Sequence, residues 1–129
     1  MSVTRLEILE TTPYQNGKAF GAAGPYERFD AIAHYAVDPA NAANQGIVDL
    51  DLAERGADGL VTFSGDVTVL RPVNPELGNR ALLMQIPNRG ARSLVRTNLA
   101  TADDAPSAEV APGDGYLFEC GWTIAWVAW

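Results

Sequence analysis

The last eight residues, Trp122-Thr123-Ile124-Ala125-Trp126-Val127-Ala128-Trp129, form an almost unbroken apolar run that holds every tryptophan of the chain. Bounded by Gly121 and built from aromatic and β-branched types, the run reads as a strand. A strand without polar alternation needs hydrogen-bonded neighbours on both edges and cover on both faces. In the sequence as it stands, nothing after Trp129 supplies either. Two expectations follow: the strand lies at a sheet edge where a second copy pairs with it as a homodimer, or the 129 residues are part of a longer domain.

Length alone argues for one self-contained unit. A hydrophobic content of 47% with 19% charged residues is that of a globular domain. A chain of this size buries roughly two thirds of the surface that its unfolded form exposes. Sixteen acidic residues against nine basic ones give a net charge of −7, and Lys18 is the only lysine. No basic stripe exists to displace phosphate counterions, so a nucleic-acid partner is excluded. Arg89, Arg92 and Arg96 come close together and read as a solvated face. Cys120 stands alone, no Cys/His pair has zinc spacing, and neither a metal nor a cofactor is expected. Residues 1–10 lack a continuous apolar h-region, and no segment reaches the ~18 apolar residues of a membrane span. The expected location is cytoplasmic, with no membrane contact.

Residues 3–10 alternate, with Leu6 and Ile8 on one face and Arg5 and Glu7 on the other, as in a half-buried strand. Asn16-Gly17 and the glycines and prolines up to Pro25 predict turns. Residues 28–37 form a second strand candidate that Asp38-Pro39 ends. Residues 40–58 read as loop, short strand, loop. Residues 59–73 carry the strongest β signal, interrupted at Ser64-Gly65-Asp66 by a bulge or tight turn. Up to this point the chain is a β-meander.

The pattern then changes. Ala81-Leu82-Leu83-Met84-Gln85-Ile86 is nearly continuous, which suits a strand covered on both faces. Residues 97–112 are small, polar and acidic, as in an exposed loop. Asp114 is placed to cap a short helix over residues 116–120, and Gly121 is placed to stop it. Strand, loop, helix and strand make a βαβ unit whose strands run parallel.

Several stretches resemble a family of bacterial α/β-hydrolase-domain proteins. They are Phe20-Gly21-Ala22-Ala23-Gly24-Pro25-Tyr26-Glu27, then Gly59-Leu60-Val61-Thr62-Phe63-Ser64-Gly65-Asp66-Val67 with Arg71-Pro72 after it. Leu83-Met84-Gln85-Ile86-Pro87-Asn88-Arg89-Gly90 follows, and then Gly113-Asp114-Gly115-Tyr116-Leu117 leading to Gly121-Trp122-Thr123-Ile124-Ala125-Trp126. The resemblance implies an α/β fold. Residues 1–79 would be the β-rich meander, and residues 80–129 would start the core sheet of an incomplete α/β-hydrolase-like domain. It also implies a serine-type activity on a small-molecule ester or amide in a longer form.

The catalytic elements of such an activity are not in these 129 residues. A G-x-S-x-G elbow would carry the nucleophile, followed by an acid and a histidine. Ser64 and Ser93 lie in no such elbow, and His34, the only histidine, is too early in the chain. By the resemblance, Asn88, Arg89 and Gly90 are the oxyanion-loop candidates, since the loop after this strand supplies an N–H donor to the developing oxyanion. Pro87-Asn88 and Gly90 would equally serve as a plain turn. His34 reads as a surface or hydrogen-bonded sheet residue. Asp49, Asp51, Glu54 and Asp58 fail the EF-hand pattern at Ala53. Cys120 reads as an inert buried thiol. The alternative from a different class is a non-catalytic β-rich binding or assembly module.

Overall fold

The computed structural model describes residues 2–87, 92, 94, 98–99 and 110–128. The strands are β1 (Ser2–Pro13), β2 (Ala19–Phe20), β3 (Gly24–Val37), β4 (Val61–Pro72), β5 (Leu82–Gln85) and β6 (Thr123–Val127), and the helix α1 is Tyr116–Glu119. The main sheet runs β1-β3-β4-β6-β5, with β2 paired to β3 alone.

Two long antiparallel ladders dominate. β1 pairs with β3 from Ser2↔Ala36 to Pro13↔Glu27, with register shifts between Val3 and Arg5 and between Ile8 and Glu10. β3 pairs with β4 without a break from Tyr26↔Pro72 to Val37↔Val61. Ser64-Gly65-Asp66 therefore does not interrupt its strand; it keeps register opposite His34, Ala33 and Ile32. Gly65 permits this, because a Cβ there would lie 2.6 Å from the Ala128 carbonyl oxygen. The short strand expected between residues 40 and 58 is absent. Asp49 takes a left-handed φ of 59° and Leu50–Leu52 wind into a 3-10 turn instead.

β6 enters between β4, to which it is antiparallel, and β5, to which it is parallel from Leu82↔Thr123 to Gln85↔Trp126. The expectation of an edge strand is corrected here, because earlier parts of the chain flank β6 on both sides. Both edges of β6 are thus paired within the chain, and among the described strands the outer ones are β1 and β5. The apolar run of β5 is likewise not covered on both faces: Leu82 is 58% and Met84 57% exposed.

The expected α/β class, an α/β-hydrolase-like arrangement, is also corrected. The sheet is mixed and the fold mostly β. Apart from short 3-10 turns, α-helix among the described residues amounts to the single turn α1 and to Asn98. A four-residue helix is ~6 Å long and cannot layer a sheet face as α/β packing requires. The parallel β5–β6 pair is real, but antiparallel ladders form the rest of the sheet.

Alternation gives the sheet two unlike faces. Tyr26, Leu70, Ile124 and Trp126 point to the face that the N-terminal turns and α1 cover. There they pack with Tyr14, Phe20, Leu117 and Phe118 in the main core. Tyr14, Phe20, Tyr26 and Phe118 form an aromatic cluster with ring centroids 4.8–6.0 Å apart. The opposite face carries Phe29, Ala31, Ala33, Val67, Val69 and Ala125 in a second, smaller cluster.

Asp114 does not occupy the cap position of α1, which is Gly115 at φ 81°. Its carboxylate nevertheless accepts the Tyr116 N–H at 3.0 Å. Asn98, fully buried, accepts the Leu117 N–H and donates to the Pro112 carbonyl, both at 2.8 Å.

Candidate functional site

Parallel strands lay their carboxyl ends side by side. In this chain the carboxyl ends of β5 and β6 border a cleft of about 310 Å³. Pro87, Trp126 and Ala128 line it from these two strands, Arg28, Asp30, Asp66, Val67 and Thr68 from β3 and β4, and Arg92 from the segment between. The indole Nε1–H of Trp126 donates to Gln85 Oε1 at 2.8 Å, which ties the two parallel strands together at the cleft.

The polar wall is one connected network. Arg92, only 4% exposed, donates from Nη1 to Thr68 Oγ1 at 3.0 Å and lies 3.7 Å from Asp30 Oδ1. Thr68 donates its hydroxyl proton to Asp30 Oδ1 at 2.5 Å. Arg28 closes the chain with Nη2 at 2.9 Å from Asp30 Oδ2. Register explains the convergence, since Asp30 faces Thr68 directly and Arg28 precedes it by one two-residue repeat on the same face. Charge-assisted hydrogen bonds of this kind are shorter and about twice as strong as neutral ones. The network therefore fixes its side chains before any ligand arrives.

A second polar group lies farther along the sheet. His34 Nε2 is 2.9 Å from both Glu7 Oε2 and Arg5 Nη2, and Arg5 reaches Glu7 at 2.6 Å. The His34 hydrogen bond, and after it the Arg5 charge, holds the Glu7 carboxyl below its ordinary range. His34 is thus a hydrogen-bonded sheet residue. Ser64 is its cross-strand partner. With Nε2 engaged by Glu7 and Arg5, the imidazole is not arranged as a base for that hydroxyl.

Comparison with protein-family models, with curated proteins and with solved structures gave no match.

Asn88, Arg89 and Gly90 lie outside the described residues, as do Ser93 and Trp129. Pro87, the residue before the three, is described, and it lines the cleft. Asp49, Asp51, Glu54 and Asp58 are not brought together as ligands, and no group of three or more His, Cys, Asp or Glu able to hold a metal occurs among the described residues. Cys120 is exposed, not buried as expected, because it sits at the C-cap of α1 and not on its inner face. Arg92 is buried, not on a solvated face. The network residues Arg28, Asp30 and Thr68 were not singled out from the sequence. One signal was present: opposite charges two residues apart inside a strand, flanked by Phe29 and Ala31, face the same side and need a partner there. No described helix is long and apolar enough to cross a membrane.

Proposed function

We propose that this chain supplies the opening sheet and one wall of the substrate cleft in a serine-type hydrolase of an ester or amide, and not the nucleophile. Serine-type acyl transfer recurs on unrelated folds, so the reading concerns chemistry and does not depend on α/β layering. The observation that carries it is the position of Pro87. Pro87, which precedes Asn88, Arg89 and Gly90 in the sequence, lines a cleft that is mostly apolar, with a few fixed polar groups, as small-molecule sites are.

The test is expression of the whole reading frame from its genomic DNA. Labelling of a downstream serine by a fluorophosphonate, with turnover of p-nitrophenyl esters that Gly90→Pro lowers by ~10²–10³-fold, is the expected result. A stop codon directly after Trp129, or an unlabelled protein, refutes it.

An assembly module is the second reading, and exposed apolar side chains on the two outer strands favour it. Val3, Leu6 and Ile8 of β1 and Leu82 and Met84 of β5 are large, apolar and exposed. Their cross-strand partners place them on the face of Ala31, Ala33 and Ala125. A discrete soluble dimer in size exclusion supports this reading, and a well-behaved monomer removes it.

A further inference from the structure

We infer that β1 is a self-complementary edge, at which two copies of this chain pair their β1 strands antiparallel about a twofold axis at Leu6 and join their sheets into one. The inference rests on the assembly reading and adds to it the strand, the partner and the register.

The edge comes first. β1 is an outer strand and, among the described strands, pairs with β3 alone. Such a strand presents a row of N–H and C=O groups that a second extended strand can satisfy. Proteins guard these edges by shortening them or by bending them with bulges. β1 is 12 residues long, and its register shifts lie between Val3 and Arg5 and between Ile8 and Glu10. Residues 5–8 therefore form a regular stretch between two irregular ones. Arg5, Leu6 and Ile8 are exposed there, and Glu7 is partly so. β5, the other outer strand, has four residues and no charge to specify a register.

Charge sets the register. Arg5 and Glu7 lie on one face of β1, across from His34 and Ile32, while Leu6 and Ile8 lie on the other, across from Ala33 and Ala31. In antiparallel pairing about Leu6, Arg5 of each copy stands opposite Glu7 of the other, so two opposite-charge pairs flank a contact between the two Leu6 side chains. Moving the axis to Arg5 or to Glu7 sets that charge against its own copy, which is destabilising. Moving it between two residues lays the polar face of one sheet beside the apolar face of the other. Within the chain, Arg5 and Glu7 hold each other and His34 through Nη2 and Oε2. A guanidinium has five N–H donors and a carboxylate two oxygens, so each can keep these bonds and add one across the axis.

The experiment measures mass by light scattering after size exclusion, on the 129-residue chain and on two charge variants. The unaltered chain is expected at twice its 13.8 kDa. Arg5→Glu and Glu7→Arg each set like charges across the axis at both pairs, and each alone is expected to weaken dimerisation at least about tenfold. An equimolar mixture of the two is expected to dimerise again, because every introduced charge then faces its opposite. The disturbance inside each chain persists in the mixture, so the rescue reads pairing across the axis. A second readout leaves both charges in place. Residues opposite each other in an antiparallel pair have Cα atoms about 4.5–5.5 Å apart, within disulfide reach. In a Cys120→Ser background, Leu6→Cys is expected to cross-link two chains at least about tenfold faster than Ile8→Cys, whose two copies would stand about 14 Å apart along the strands. Equal cross-linking at the two positions overturns the inference, as does a mixture of folded variants that stays monomeric. A dimer that neither charge variant weakens overturns it too and leaves the assembly reading intact, whereas a monomeric unaltered chain removes both.

Discussion

Replacing Tyr26 by phenylalanine isolates a single oxygen at the joint between the antiparallel ladders and the parallel pair. Tyr26 is fully buried on β3, and its hydroxyl donates to the carbonyl oxygens of Phe118 at 3.1 Å and Trp122 at 3.0 Å. One carbonyl belongs to α1 and the other immediately precedes β6, so the hydroxyl pins the connection that delivers β6 to its slot. Tyr26→Phe keeps the ring and its edge-on contacts with Phe20 and Phe118. The Phe118 carbonyl still accepts the Gly121 N–H at 2.9 Å. The Trp122 carbonyl loses the hydroxyl. A neutral hydrogen bond with one partly buried acceptor left behind costs about 2 kcal/mol. At ~2.1 cal/mol/K per residue, that lowers Tm by about 7 °C for a chain of 129 residues. Urea denaturation is the direct assay, with an unchanged m-value as the sign that only stability moved. Tyr116→Phe, at an exposed position, is the control and should be neutral. A loss below ~0.5 kcal/mol in Tyr26→Phe refutes the idea that this hydroxyl fastens the two halves of the sheet. Burial, and after it the nearby Cys120, pushes the Tyr26 hydroxyl above its ordinary pKa. A raised folded pKa means that the contribution is complete below the unfolded value of ~10 and is lost as pH rises beyond it.

Gly65→Ala forces a Cβ to within 2.6 Å of the Ala128 carbonyl oxygen, and should cost about 1–3 kcal/mol in a denaturant titration; a neutral result would show that the end of β6 can shift away. Asn98→Ala removes both 2.8 Å bonds of a fully buried amide and should cost about 2–4 kcal/mol, measured the same way. Gln85→Leu frees the Trp126 indole N–H, which should move its proton resonance and lower stability by about 1 kcal/mol. Glu7 has a lowered folded pKa, so its contribution is present above the unfolded value of ~4.3 and is lost as pH falls through the folded one. His34→Ala should raise the Glu7 titration midpoint by carboxyl NMR, and an unchanged midpoint would contradict the hydrogen bond as the main cause.

The strands were legible where alternation or a strong apolar run stood between turn residues. β1, β3, β4 and β6 fall where such patterns occur, and Asn16-Gly17 marks a turn in which Gln15, Asn16 and Gly17 all have positive φ. The position of a strand in the sheet was not legible. A continuous apolar run specifies two occupied flanks, which β6 has, but not which segments fill them. The converse error occurred at β5, where Leu82 and Met84 are apolar yet exposed. Fold class failed for a related reason. A short helix between two parallel strands is locally the same whether it opens an α/β layer or closes a mostly β sheet. The cleft network was hidden because Arg28, Asp30, Thr68 and Arg92 are joined by register and by a return of the chain, neither of which sequence spacing encodes.

The insertion of β6 between β4 and β5 also sets an order of events during synthesis. β1, β3 and β4 are neighbours in both sequence and space and can pair as they emerge. β5 cannot join them, because the strand that connects it to β4 has yet to be made. Residues 86–122 intervene, which at ~5–20 residues per second leaves β5 unpaired for a few seconds. The sheet is completed only once residues 123–127 are made, so a nascent chain halted before residue 123 displays a bare β4 edge and an orphaned apolar β5. Such a chain is a natural client for a holding chaperone.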